Sequence, residues 1–163
     1  MKFRRPQAVV FDRDGTLVVD VPYNGNPDRV VPVEGARESL DRLRAAGLKV
    51  GVASNQSAIG RGLITTAQMD AVNARIEALL GPFDGWFVCP HAPGDDCECR
   101  KPKPKLLLDA VRAFGVEPSA CVYVGDKGED VEAARNADIE MLRVGPSLTF
   151  ARACDDILRR ARR

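Results

Sequence analysis

Short unbroken apolar runs alternate along the chain with longer stretches that are apolar only every third or fourth position. The runs Ala8-Val9-Val10-Phe11, Lys49 to Ala53, Trp86-Phe87-Val88, Cys121-Val122-Tyr123-Val124 and Ile139 to Val144 are strand-sized. Runs of this kind belong to strands covered on both faces, as in a parallel sheet. Between them, Glu34 to Ala46 has a stripe at Ala36, Leu40, Leu43 and Ala46 and stops at Gly47. A second helix is predicted from Thr65 or Thr66 to about Leu80, with Met69, Val72, Ile76 and Leu79 on one face. Pro104 opens a third, carrying Leu107, Leu108, Val111 and Phe114 and closed by Gly115. Two more are expected, from about Glu129 to Ala137 and from about Leu148 onward. Asp20 to Pro27 is rich in Pro, Gly and Asn and must be irregular, and Ser57 to Leu63, holding Gly60 and Gly62, also reads as a loop.

Strands joined through helices imply right-handed crossovers in a parallel sheet. The expected fold is therefore α/β, a Rossmann-like doubly wound parallel sheet with helices on both faces. No repeat, low-complexity tract or linker divides the chain, so residues 1–163 are expected to form one domain. The formal net charge is +1, which argues against a nucleic-acid partner or a membrane surface. No apolar run reaches transmembrane length, and the first residues pass straight into a strand without a signal-peptide core. A cytoplasmic location is the expectation.

Candidate chemistry recurs where the strands stop, the place where α/β sheets hold ligands. The first strand runs into Asp12 and Asp14 followed by Gly15-Thr16; the second ends at Ser54-Asn55; the fourth at Gly125-Asp126, with Asp130 four residues on. Two acids so close together are costly near a core unless a cation neutralises them. Magnesium suits hard oxygen ligands and phosphate. A carboxylate is also a nucleophile that needs no separate base, and its neighbour could move the proton. Taken singly, each feature has an ordinary explanation. Asp12-x-Asp14 could be an acidic turn, Ser54 a helix cap, Lys101 a solvated lysine, and Asp126 with Asp130 charges suited to a helix start. Only the combination is specific.

Cysteine usage adds a second centre. Three of five cysteines crowd into Cys89-Pro90-His91 and Cys97-Glu98-Cys99, spelling Cys-x-His-x5-Cys-x-Cys around the only histidine. The odd total and the clustering argue against a secreted disulfide framework. Three thiolates and an imidazole suit a closed tetrahedral Zn²⁺ site, which would fix where Arg100 and Lys101 point. Cys121 and Cys154 fall in an expected strand and helix and read as core residues.

The ordered set Asp12-x-Asp14-Gly-Thr, Ser54, Lys101 and Gly125-Asp126 with Asp130 resembles the haloacid dehalogenase superfamily. The resemblance implies Asp12 as nucleophile, Asp14 as general acid/base, Ser54 as a donor to phosphate and Lys101 as its counter-charge. It also implies Mg²⁺ held by Asp12, the Asp14 backbone carbonyl and Asp126, with Asp130 in support. An Asp two residues after the nucleophile is similar to the phosphatases and phosphomutases rather than the dehalogenases. Cys-Pro-His and Cys-x-Cys-Arg-Lys-Pro resemble the branch of heptose-bisphosphate and histidinol-phosphate phosphatases, which lacks a large cap domain; no insertion here is long enough to be one. Ser54-Asn55-Gln56-Ser57-Ala58-Ile59-Gly60-Arg61-Gly62 is similar to the heptose enzymes, whereas the short zinc loop is closer to the histidinol-phosphate ones. The heptose reading implies Asp20, Tyr23, Asn55, Arg100 and Lys127 as substrate contacts, with Arg100 on the second phosphate. A monomer acting on a small phosphorylated sugar is the expectation. A nucleic-acid 3′-phosphatase, favoured only by the Arg-rich residues 159–163, and a non-catalytic zinc-stabilised binding module are the more distant alternatives.

Overall fold

A computed structural model describes residues 3–163. Five strands, β1 (Ala8–Phe11), β2 (Lys49–Asn55), β3 (Gly85–Cys89), β4 (Cys121–Gly125) and β5 (Glu140–Arg143), form one parallel sheet in the order β3-β2-β1-β4-β5. Six helices accompany them: α1 (Ala36–Ala45), α2 (Ser57–Gly60), α3 (Thr66–Leu80), α4 (Lys105–Phe114), α5 (Gly128–Asn136) and α6 (Phe150–Ala161). Successive side chains of a strand face opposite ways, and the central strands use both faces. Val9 and Phe11 of β1 join Leu40 and Leu43 of α1, Val72 and Ile76 of α3, and Ile157 and Leu158 of α6. Ala8 and Val10 pack on the other side against Leu106, Leu107 and Ala110 of α4 and Ala133 and Ala134 of α5. Cys121 and Cys154 are buried in these two layers, as expected of core residues.

The chain winds outward from β1 through β2 to β3, then returns to start β4 on the other flank of β1. β1 and β4 therefore flank the reversal of strand order, where α/β sheets open a crevice at their carboxyl ends. Their register pairs Phe11 with Val124, so Asp12 and Asp126 leave the sheet nearly side by side.

Most expected element bounds shift by one or two residues, and two differences bear on the site. β2 continues through Ser54 and Asn55, which extends it two residues past Ala53. Ser57 to Leu63, expected to be wholly irregular, begins with the one-turn helix α2. Its glycines suggested a loop, but Gly60 is there for close packing. A Cβ on it would lie 2.3 Å from the backbone nitrogen of Ala92, and Gly60 N donates to Pro90 O at 2.8 Å. α3 starts as expected, with Thr65 and Gln68 exchanging capping bonds.

Candidate active site

β1 ends in a cluster of charges sealed from water. Asp12 is 4 % exposed, Lys101 1 % and Asp130 fully buried. Lys101 Nζ donates to Asp12 Oδ1 at 3.0 Å, Asp130 Oδ1 at 2.8 Å, Tyr123 Oη at 2.8 Å and Ala53 O at 3.0 Å. A buried ammonium persists only when matched by charge and hydrogen bonds. Burial would pull its pKa down, but Asp12 and Asp130 outweigh that and hold it above the ordinary lysine value. Burial would raise Asp130, yet Lys101 and the Lys127 amide keep it below the usual carboxylate range. Asp12 goes the other way. Desolvation lifts it from 3.8 to about 7 against the pull of Lys101 and Lys127.

Three oxygens converge in front of this cluster. Lys127 Nζ lies 3.7 Å from Asp12 Oδ2, 3.5 Å from Asp126 Oδ1 and 3.2 Å from the Asp14 carbonyl. An ammonium thus sits among the hard oxygen donors that a small divalent cation prefers. Carboxylate oxygens of Asp12, Asp126 and Asp130 lie within 4.8 Å of one another. Thr16 Oγ1 steadies Asp126 by donating to its Oδ1 at 3.2 Å. Gly15, at φ +81°, lets the chain pass; a Cβ there would fall 2.3 Å from Asp126 Oδ2. The donor set fits Mg²⁺.

The Asp14 carboxylate is gripped at both oxygens, by Arg13 Nε at 3.1 Å and Gln56 Nε2 at 3.0 Å. Gln56 Nε2 also donates to Ser54 Oγ at 2.7 Å, which leaves the Ser54 hydroxyl hydrogen free. Asn55 exchanges two hydrogen bonds with the main chain of Lys101, so it anchors the lysine's backbone as well as facing the crevice. Asp14, Asp20, Tyr23, Asn55, Arg100 and Lys127 line one cavity of about 260 Å³. Tyr23 has φ +55°, unusual for a non-glycine residue, and its ring lies under the Arg61 guanidinium at 5.8 Å. Arg100 Nη1 is buried without a hydrogen-bond partner. Sequence reasoning missed Arg13, Gln56, Asn73 and Tyr123 as members of the site. The one available signal was Arg13 itself, a cation wedged between two acids at a strand end.

The predicted zinc ligands also come together, with one donor atom from each of Cys89, His91, Cys97 and Cys99 within 4.8 Å of the rest. Cys89 Sγ is 3.5 Å from His91 Nδ1 and 3.7 Å from Cys97 Sγ, and His91 Nδ1 is 3.3 Å from Cys99 Sγ. The edges of a tetrahedral site with Zn–S of ~2.3 Å and Zn–N of ~2.0 Å run to roughly 3.5–3.8 Å. The Cys89–Cys99 pair is tighter, at 2.8 Å, but well beyond a disulfide bond of ~2.05 Å. Burial pushes the Cys89 thiol up to about 12, so a cation is needed to hold it as thiolate.

The family model of haloacid dehalogenase-like hydrolases matches residues 23–138. D-glycero-beta-D-manno-heptose-1,7-bisphosphate 7-phosphatase of Pseudomonas aeruginosa is 38% identical over 141 residues, covering 83% of this chain and 79% of the relative. The enzyme of the same name from Pasteurella multocida is 34% identical over 156 residues, covering 88% and 85%. Among solved structures, D,D-heptose 1,7-bisphosphate phosphatase from Bordetella bronchiseptica, complexed with magnesium and phosphate, superposes with a TM-score of 0.80. That alignment is 26% identical and covers 94% of this chain and 98% of the other.

Proposed function

Because the chain belongs to the haloacid dehalogenase-like hydrolases, we propose that it is a phosphatase removing the 7-phosphate of D-glycero-D-manno-heptose 1,7-bisphosphate by way of an aspartyl-phosphate. The observation that carries the reading is the convergence of Asp12 Oδ2, Asp126 Oδ1 and the Asp14 carbonyl on one cationic point beside a buried lysine. Phosphoryl transfer depends on charge neutralisation and positioning, and that arrangement provides both.

Asp12 attacks phosphorus with its carboxylate, whose Oδ1 accepts from Lys101 and whose Oδ2 faces the cationic point. A magnesium ion held by Asp12, the Asp14 carbonyl and Asp126, with Asp130 behind them, would offset the charge of the phosphoryl oxygens. Lys101 balances Asp12 and Asp130, and Lys127 approaches from the open side. Ser54 gives its free hydroxyl hydrogen to a phosphoryl oxygen. Asp14 protonates the departing sugar oxygen, then takes a proton from the water that opens the aspartyl-phosphate. Arg100, with its buried unpaired nitrogen, takes the second phosphate, since an unsatisfied buried donor is costly until an anion arrives. Asp20 and Tyr23 line the same cavity on the sugar side.

Cys89, His91, Cys97 and Cys99 would hold zinc, and the metal would fix the segment that carries Arg100 and Lys101. Reduced thiols at that site fit the cytoplasm, and the chain works as a monomer on a small phosphorylated sugar. Among the described residues, no helix is long and apolar enough to cross a membrane.

A panel of phosphate esters assayed with Mg²⁺ tests the reading. Release from heptose 1,7-bisphosphate should exceed that from histidinol phosphate, and the opposite order would reassign the substrate. Asp12→Asn should cost on the order of 10⁴-fold or more in turnover while the thermal melt stays cooperative. Retained activity in that variant would remove the nucleophile.

A further inference from the structure

Arg13 heads the largest fully buried side chains of the protein, 2 % exposed, yet phosphoryl transfer as described above gives it nothing to do. It stands between the nucleophile and the proton-transfer acid. Past the end of β1 its Nη1 reaches Asn73 of α3, a helix packed in the layer opposite Tyr123. A buried guanidinium is expensive, and an apolar side chain would fill the same space at lower cost. Each of its three nitrogens has its own acceptor: Nε donates to Asp14 Oδ1 at 3.1 Å, Nη2 to Gln56 Oε1 at 3.0 Å and Nη1 to Asn73 Oδ1 at 2.9 Å. Among the described residues, Asp14 is its only ion-pair partner.

These bonds form a directed chain. Asn73 on α3 seats the guanidinium by accepting from Nη1. Because Gln56 Oε1 accepts from Arg13, its amide nitrogen must face the other way, onto Asp14 Oδ2 and Ser54 Oγ. Both oxygens of Asp14 are thereby fixed, one by Arg13 directly and one through Gln56. A carboxyl held at both oxygens keeps a single rotamer, and transfer of a proton to a leaving oxygen depends on that geometry.

We propose that Arg13, seated by Asn73 and acting with Gln56, is the positioning residue that aims Asp14 at the leaving-group oxygen. The proposal rests on the phosphatase reading above. In the step concerned, the Asp12–phosphorus bond forms, the bond from phosphorus to the sugar oxygen breaks, and the Asp14 carboxyl proton passes to that oxygen. None of the three network residues touches phosphorus, and only Gln56, through Ser54, bears on the phosphoryl group. Their loss should therefore matter in proportion to the leaving group's need for a proton.

The test compares a sugar phosphate, whose alkoxide must be protonated, with 2,4-dinitrophenyl phosphate, whose phenolate leaves as an anion. Arg13→Met should lower kcat on the sugar phosphate by about 10²-fold and Asn73→Leu by about tenfold, with KM changed by less than about threefold. Single-turnover release of dinitrophenolate should change by less than about threefold in both. Arg13→Lys, which can reach Asp14 but not all three acceptors at once, should restore part of the sugar-phosphate rate. Asn73 is half-buried, so its variant remains informative if Arg13→Met does not fold. Equal loss on both substrates, or no loss on either, would overturn the positioning role. An unmodified protein that releases phosphate from neither ester would instead overturn the phosphatase reading beneath it.

Discussion

As the proposed nucleophile, Asp12 joins two opposing demands in one side chain: it must be an anion to attack phosphorus, yet it is buried so deeply that desolvation holds it near 7. A folded-state pKa above the unfolded 3.8 means that the metal-free fold gains from protonating Asp12, and that this gain fades as pH rises through 7. Mg²⁺ must displace that proton. Its apparent affinity should rise by about tenfold per pH unit below 7 and level off above it, with calorimetry at pH 6 recording proton release that is absent at pH 8. A pH-independent affinity would contradict the raised pKa. The acids themselves were readable in sequence because each stands where an apolar run meets a glycine or a helix start. Arg13, Gln56 and Tyr123 were not, because a buried polar residue is recognised by its partners. Those partners lie 43 to 60 residues away for Arg13, at Gln56 and Asn73, and 22 away for Tyr123, at Lys101.

At the level of elements, the loop at residues 89–99, proposed to hold zinc, is tied to α2 and β2 as one unit. Gly60 and Gln56 donate backbone bonds to Pro90 and Cys89, and Asn55 clasps the main chain of Lys101. Loss of zinc should thus be felt mainly by the residues that receive substrate. Cys97→Ser or chelation should reduce bound zinc from about one per chain, raise KM for a bisphosphate by about tenfold or more, and leave far-UV circular dichroism nearly unchanged. A wholly unfolded apo-protein would make the metal part of the core instead. The ligands were legible as a pattern of residue types with metal spacing. α2 was not, since glycine usually marks a turn, and the demand for close approach at Gly60 comes from a backbone 32 positions further on.

Over the whole molecule, charge and shape limit what can be bound. A net charge of +1 supplies no general attraction for polyanions, and two of the four arginines at 159–163 already have acidic partners. Arg160 pairs with Glu140 and Asp156, and Arg159 with Asp156. A 3′-phosphorylated DNA oligonucleotide should therefore be hydrolysed at least about 10²-fold less efficiently than the sugar bisphosphate, with weak dependence on salt. Comparable rates falling steeply with salt would favour a nucleic-acid substrate. The strand order β3-β2-β1-β4-β5 was only partly accessible from sequence. Strand–helix alternation foretold a parallel sheet and helices on both faces, whereas which strands neighbour β1 depends on how the helices divide between the two layers.

The four partners of the Lys101 ammonium outnumber its three hydrogens. An incoming anion therefore finds no vacant proton there and can gain one only by displacing a protein oxygen that is ready to return. Occupancy of that corner is a trade between competitors, and the same crowding favours eviction of free phosphate once it has formed.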